Sequence, residues 1–188
     1  MKDVQKRLGK MRRDLGDKAA VMALNKTAAK GKTEMARAIS SEYAIRQAEV
    51  RPKLRVLRAS RGRLTAILDP WGSGKRRSLN VVKFMESKVS LAEGRRRKKG
   101  GTQNQLRFKI KKGGAAKTIT GAFIGNKGRT VFKRTGDARL PIEAVQTVGV
   151  PQMFSTRRIN IRVLKRIRKE FPIEFERAAR QVIRRHSR

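Results

Sequence analysis

Apolar residues recur along this chain with two different periods, and the changes between them mark out three stretches. From Val4 to about Ser40 the period is helical. Val21, Leu24, Ala28, Gly31, Met35 and Ile39 fall at steps of three and four, which puts them on one stripe, with Lys26, Lys30, Lys32 and Arg37 elsewhere. The stripe predicts an amphipathic helix covering a sheet, and Gly16-Asp17 predicts a break that separates it from a short first helix. Ala19, Ala20, Ala23, Ala28 and Ala29 permit close packing. Tyr43 to about Ala59 reads as a second helical piece, interrupted at Pro52, which fits a first turn or a kink.

Between Arg63 and Thr120 the period shifts towards two. Leu64 to Leu68, Leu79 to Phe84, Lys88 to Leu91, Leu106 to Ile110 and Lys117 to Thr120 are short β-rich runs separated by Gly, Ser, Asn and Pro. They predict four or five antiparallel strands. Leu106, Phe108 and Ile110 alternate with Arg107, Lys109 and Lys111, giving that strand an apolar side and a cationic side. The rest of the chain is organised around the stretch from Gly121 to Phe154. Ala122-Phe123-Ile124 and Thr130-Val131-Phe132 flank Gly125-Asn126-Lys127-Gly128, residues that tolerate positive φ, so a hairpin continuing the sheet is predicted. Its exit, Leu140-Pro141-Ile142-Glu143 to Val150-Pro151, is too irregular for a long strand and predicts an ordered crossing from sheet to helix.

The last stretch starts near Ser155, a natural N-cap, and carries Ile159, Val163, Ile167, Phe171, Phe175 and Val182 at helical spacing. Pro172 predicts either a kink or two helices meeting at Phe171. The fold class expected is α+β: N-terminal helices, an antiparallel sheet with hairpins and a long basic C-terminal helix. One domain over residues 1–188 is expected, helical over 1–59, mainly β over 60–154 and helical over 155–188.

Composition narrows the function. Lys and Arg number 50 against 14 Asp and Glu, a formal net charge of +36. Such a particle repels itself unless a polyanion or acidic neighbours compensate, and nucleic acid leads on charge alone. Cysteine is absent, so disulfides and thiolate zinc sites are excluded. The start, MKDVQKRLGKMRRDL, has no apolar signal core, and no apolar run is long enough to span a membrane. These features fit a reducing cytosol, and a virion particle leaves the same signature.

Catalytic patterns fail. Gly72-Ser73-Gly74-Lys75 approaches a phosphate loop, but Asp69 stands where the first glycine is needed and Arg76 where Ser or Thr is needed. The single histidine, His186, supports neither a triad nor a metal cage. Asp3, Asp14, Asp17, Asp69 and Asp137 are scattered without an acid/base pairing, so no enzyme, metal or cofactor is expected.

The loud feature is Arg95-Arg96-Arg97-Lys98-Lys99, bounded by Gly94 and Gly100-Gly101. With Arg107, Lys109, Lys111 and Lys112 it forms a span without an acidic residue. On a hairpin tip these nine cations would follow phosphates without reading bases. Base stacking is poorly supported, because Phe123, Phe132, Phe171 and Phe175 occupy positions that read as core.

Ala20-Val21-Met22-Ala23-Leu24-Asn25-Lys26, the Arg95 to Lys99 run, Gly121-Ala122-Phe123-Ile124, Val131-Phe132-Lys133-Arg134, Leu140-Pro141-Ile142-Glu143, Val150-Pro151 and the closing basic helix occur in an order that resembles the minor tail protein Z family of lambda-like phages. The resemblance covers nearly the whole chain. It implies a virion protein, assembled in the host cytoplasm, that completes the head-proximal end of a tail. It further implies a homo-hexameric ring in the neck between the tail terminator or tail tube protein and the head–tail connector protein, with genomic double-stranded DNA in the lumen. On that reading Arg95 to Lys99 face the lumen or an acidic neighbour. Two alternatives fit the charge: a free sequence-independent nucleic-acid-binding protein of ribosomal or nucleoid type, and an adaptor whose cations meet acidic tail proteins.

Overall fold

The computed structural model describes residues 2–70, 78–86 and 106–186, with side chains from residue 13. Its spine is a pair of long helices, α1 (Lys2–Glu42) and α4 (Arg157–His186). They run antiparallel: Ala19 and Ala23 of α1 pack with Ala178 and Val182 of α4, and Met35 and Ile39 share a core with Ile159 and Val163. The close contact edge of α1 is made of small residues. Ala19, Ala23, Thr27 and Gly31 succeed one another at four-residue steps and are all buried, and a Cβ on Gly31 would lie 3.2 Å from Ile167 Cδ1. The alanine-rich end of α1 thus partners a helix, where the sequence predicted a helix covering a sheet, while Met35 and Ile39 further along share a core with Leu68 and Leu79 of the sheets.

Two expected helix breaks are absent. α1 passes through Gly16-Asp17 without interruption, because a glycine costs a helix interior only about 1 kcal/mol and the long packed edge beyond it outweighs that cost. α4 likewise continues through Pro172, so two helices meeting at Phe171 are excluded. Arg168, whose carbonyl loses its partner to the proline, and Pro172 itself are both exposed, so solvent reaches the freed acceptor. Ser155 is not the N-cap of this helix. It ends a short preceding helix, α3 (Val150–Phe154), where its hydroxyl meets the Pro151 carbonyl at 3.0 Å. Thr156 opens α4 instead: its carbonyl accepts from the Asn160 N–H, and its hydroxyl lies 3.1 Å from the Tyr43 hydroxyl.

The region after α1 is less helical than the sequence pattern indicated. A single turn, α2 (Gln47–Val50), leads into a 3₁₀ turn at Arg51–Lys53 that holds Pro52 in its first turn, and then into strand β1 (Arg55–Leu57). Asn25 ties this segment back to α1, accepting from the Ala59 N–H at 2.8 Å and donating to the Ala59 carbonyl at 3.1 Å.

The expected single sheet is, among the described residues, four small antiparallel ones. β1 pairs β2 (Ile67–Asp69), β3 (Leu79–Asn80) pairs β9 (Gln146–Thr147), and β4 (Arg107–Phe108) pairs β5 (Lys117–Thr118). The hairpin β6 (Ala122–Gly125) and β7 (Thr130–Arg134) takes β8 (Ile142–Ala144) as a third strand. The run from Leu79 to Phe84 is not one strand, because Val81–Phe84 is a 3₁₀ turn capped by the Asn80 side chain. That same side chain accepts from the Val131 N–H at 2.9 Å and donates to the Val131 carbonyl at 3.1 Å, joining β3 to β7. The strand expected at Lys88 to Leu91 and the glycines at 72–74 lie outside the described residues.

The hairpin itself is as predicted. Phe123 pairs Phe132 and Gly125 pairs Thr130, while Asn126, Lys127 and Gly128 turn the chain with φ of 49°, 52° and 84°. Its exit crosses to α3 through β8 and β9, as the two-proline segment indicated. The Leu140–Pro141 bond is cis. With helices packed beside small antiparallel sheets, the chain is α+β.

Two substitutions test these points by equilibrium unfolding. Gly16→Ala should raise stability by about 0.5–1 kcal/mol, since Gly16 is helical and exposed with open space around its Cβ position; a loss would mean the helix breaks there. Gly125→Ala should lower it by about 1–3 kcal/mol, because a Cβ there would lie 2.9 Å from the Phe132 ring.

Candidate nucleic-acid interface

Strand β4 and the residues after it carry the described part of the cationic span. Leu106 and Phe108 point into a core shared with Val81, Ala122 and Val131, which turns Arg107 outward. Arg107 reaches the Glu86 carboxylate at 3.9 Å, a long and solvent-exposed pairing of little energetic weight. The Lys109 N–H donates to the Phe84 carbonyl at 2.8 Å, and Lys109 is half-buried. Lys111 and Lys112 are exposed at the C-terminal end of α1, where the Lys112 N–H donates to the Glu42 carbonyl at 2.9 Å and the Ala44 N–H to the Ile110 carbonyl. Cations at the negative end of a helix dipole are favourably placed. The structure therefore brings Arg107, Lys109, Lys111 and Lys112 onto one ribbon, with Arg107, Lys111 and Lys112 on its surface. Arg95, Arg96, Arg97, Lys98 and Lys99 lie outside the described residues.

The larger cationic surface belongs to α4. Arg157 to Arg188 holds twelve Lys and Arg against three Glu. All three glutamates are engaged. Lys30 of α1 places its Nζ 2.6 Å from both Glu170 Oε2 and Glu174 Oε1, Arg166 reaches Glu170 at 2.8 Å, and Arg177 reaches Glu174 at 3.0 Å. Glu176 pairs Arg180, and across the seam Glu34 takes Arg162 at 2.8 Å. The remaining charge is unneutralised from within: among the described residues Arg157, Arg158, Lys165, Arg168, Lys169, Arg184 and Arg185 make no ion pair. An open cleft of about 610 Å³ is lined by Arg177, Arg180, Gln181, Arg184 and Arg185.

The buried glutamates were missed by the sequence pattern. The predicted stripe stepped from Ile167 to Phe171 and Phe175; the buried edge steps instead to Glu170, Glu174, Ala178 and Val182. Both readings keep three- and four-residue steps. The signal present in the sequence was that Glu170 and Glu174 are four apart on a helix otherwise so rich in cations, a spacing that places both on one face. Phe175 is consequently turned outward, 39% exposed, and Phe123 and Phe132 are half-buried rather than core. Those two rings pair at a centroid separation of 6.0 Å, with the Arg134 guanidinium 5.0 Å from the Phe123 centroid.

Hydrogen bonding explains the titration of the cluster. The Lys30 bond holds Glu170 and Glu174 below the ordinary carboxylate value against the opposing effect of burial. Bonding to Glu170, then to Glu174, holds Lys30 above the ordinary lysine value. No group of three His, Cys, Asp or Glu among the described residues is placed to hold a metal, and no helix there is long and apolar enough to cross a membrane.

Against known proteins, the family model of prophage minor tail protein Z (GPZ) matches residues 1–188. The chain belongs to that family. A search of curated proteins and a search of solved structures each found no match. Membership makes the chain a structural protein of a phage tail, located in the virion and working with other tail or virion proteins. In this chain the engaged glutamates and the unpaired cations divide the charge of α4 into an internal part, which holds α1 to α4, and an external part.

The internal part predicts a pH profile. Carboxylates whose pKa falls on folding add stability that is complete above their unfolded pKa and is lost as the pH drops through the folded one. A lysine whose pKa rises adds stability that is complete below its unfolded pKa and is lost as the pH rises through the folded one. Helical content and melting temperature should hold through neutral pH and fall at both extremes. Lys30→Met should lower the melting temperature at neutral pH and flatten the acid limb, read by circular dichroism; an unchanged acid limb would take the cluster out of the stability profile.

Proposed function

We propose that this minor tail protein Z, acting as one tail-completion domain over residues 1–188, closes the head-proximal end of the tail as a homo-hexameric ring at the head–tail junction. Its neighbours there are the tail terminator or tail tube protein and the head–tail connector protein, and genomic double-stranded DNA occupies the lumen. The observation that carries this reading is the external charge. The glutamates of α4 are taken up by internal pairs, and among the described residues Arg157, Arg158, Lys165, Arg168, Lys169, Arg184 and Arg185 of α4 and Lys109, Lys111 and Lys112 of the β4 ribbon make no ion pair. A ring around duplex DNA supplies their counter-charge, at one negative charge per about 1.7 Å of axis. A subunit that carries +36 is otherwise strongly self-repelling, the more so beside five copies of itself.

Within the ring Arg95, Arg96, Arg97, Lys98 and Lys99, with Arg107, Lys109, Lys111 and Lys112, contact phosphates without reading bases. The role is mechanical, a seal and a guide for the genome end, and requires neither a catalytic step nor a cofactor. Two measurements test it. Cryo-electron microscopy of the assembled particle, with symmetry determined rather than imposed, should place six copies at the junction with residues 95–99 towards the lumen. A different copy number or location would overturn the ring. Replacing all five cations of that run by Gln should reduce the steepness of duplex affinity against salt by as much as about 0.9 per lost phosphate contact; an unchanged slope would remove the run from the DNA contact.

A further inference from the structure

α4 has a second apolar stripe, distinct from the edge that packs on α1. Ile161, Leu164, Pro172 and Phe175 lie at steps of three, eight and three residues, which keeps them within an arc of about 80°, with exposed Arg168 on the same arc between Leu164 and Pro172, roughly 120° around the helix from the buried edge. Ile161 is 55% exposed, Leu164 49% and Phe175 39%. The stripe is held in place from beneath, since the Phe175 ring lies 6.0 Å from that of Phe171, which packs on the core of Ala19 and Ala23. Arg157, Arg158, Lys165 and Lys169 border it, Arg168 stands within it, and among the described residues these five make no ion pair.

We propose that this outward face of α4, from Arg157 to Phe175, docks an acidic amphipathic helix of another virion protein. The stripe from Ile161 to Phe175 is about 21 Å long, four turns, which suits one helix laid along it. Charge selects the occupant. A second copy of the chain would set this cationic border against a surface that is itself strongly basic. Nucleic acid would satisfy the cations but leave Ile161, Leu164 and Phe175 pressed on phosphate and sugar, whereas DNA-binding surfaces are more polar than protein-binding ones. A helix with apolar residues on one face and carboxylates along its flanks satisfies both halves of the surface. The inference does not depend on the ring or on the DNA contact.

The test is made in assembled particles. A photo-crosslinking residue placed at Leu164, and separately at Phe175, should give adducts that mass spectrometry maps to a segment of a different virion protein, with acidic residues flanking apolar ones. Adducts to another copy of this chain, to DNA or to lipid, or no adduct at either position, would overturn the proposal. In parallel, K165E/R168E and I161D/L164D should each reduce the yield of infectious particles by about tenfold or more, the effect of losing one anchoring contact, with melting temperature unchanged because these residues are exposed. Full yield from both variants would equally overturn it.

Discussion

Lys30 sits with its ammonium 2.6 Å from each of two carboxylates that are four residues apart on the opposite helix, a contact that favours the observed register of the spine together with the Glu34–Arg162 pair. Burying Glu170 and Glu174 costs desolvation, and the two repel one another, so the cluster is weak evidence for net stability. Its force lies in what it disfavours. The small residues on the close edge of α1 would fit α4 at several registers displaced by a turn, since Ala19, Ala23, Thr27 and Gly31 repeat every four residues. A one-turn slip would leave Lys30 beside only one of the two glutamates; in one direction it would set Glu34 against them, and in the other Lys26, already 3.9 Å from Glu174, would take its place. Packing brings the helices together and the charges favour one register.

That helix pair then fixes where everything else can stand. Tyr43, just beyond the end of α1, meets Thr156 at the start of α4, so the two helices are stitched at the end where the sheets gather. Asn25 and Asn80 do comparable work at a distance, each presenting a side-chain amide to the backbone as a strand neighbour would. Among the described residues, four small sheets without one continuous hydrogen-bonded ladder hold together through such amide bridges and through two shared cores.

Sequence pattern reached the parts of this fold that are local. The positive-φ turn after Gly125, the alternation of Leu106, Arg107 and Phe108, the crossing through two prolines and the α+β class were all readable, because each depends on residues within a few positions of one another. The errors have a common source. Gly16 and Pro172 are local helix breakers overruled by long-range packing or by solvent exposure, and the identity of α1's partner depends on residues more than a hundred positions away. The stripe on α4 was misassigned by one residue at Glu170 for the same reason: charge made a core position look exposed until Lys30 was in place across the seam. The site is less legible still, since the cations of the β4 ribbon were readable as a cluster but the outward stripe of α4 becomes visible only when Phe175 is known to point away from α1.

The first turn of α4 shows how this distribution of charge points outward. Arg157 and Arg158 stand at the positive end of a thirty-residue helix whose first turn contains no acidic residue, a placement that local electrostatics disfavours. At the other end Arg184 and Arg185 complement the dipole and need no further reason. Glu170, Glu174 and Glu176 lie far along the helix and are already engaged, so nothing on α4 relieves the two arginines. A local rule broken without an internal compensation marks a place where the compensation arrives from outside. An anionic partner at this end would gain from the dipole, from both arginines and from the cations that continue along Ile161 and Leu164. The same partner would relieve an electrostatic strain that the fold leaves at the start of the helix, so docking would also stabilise α4.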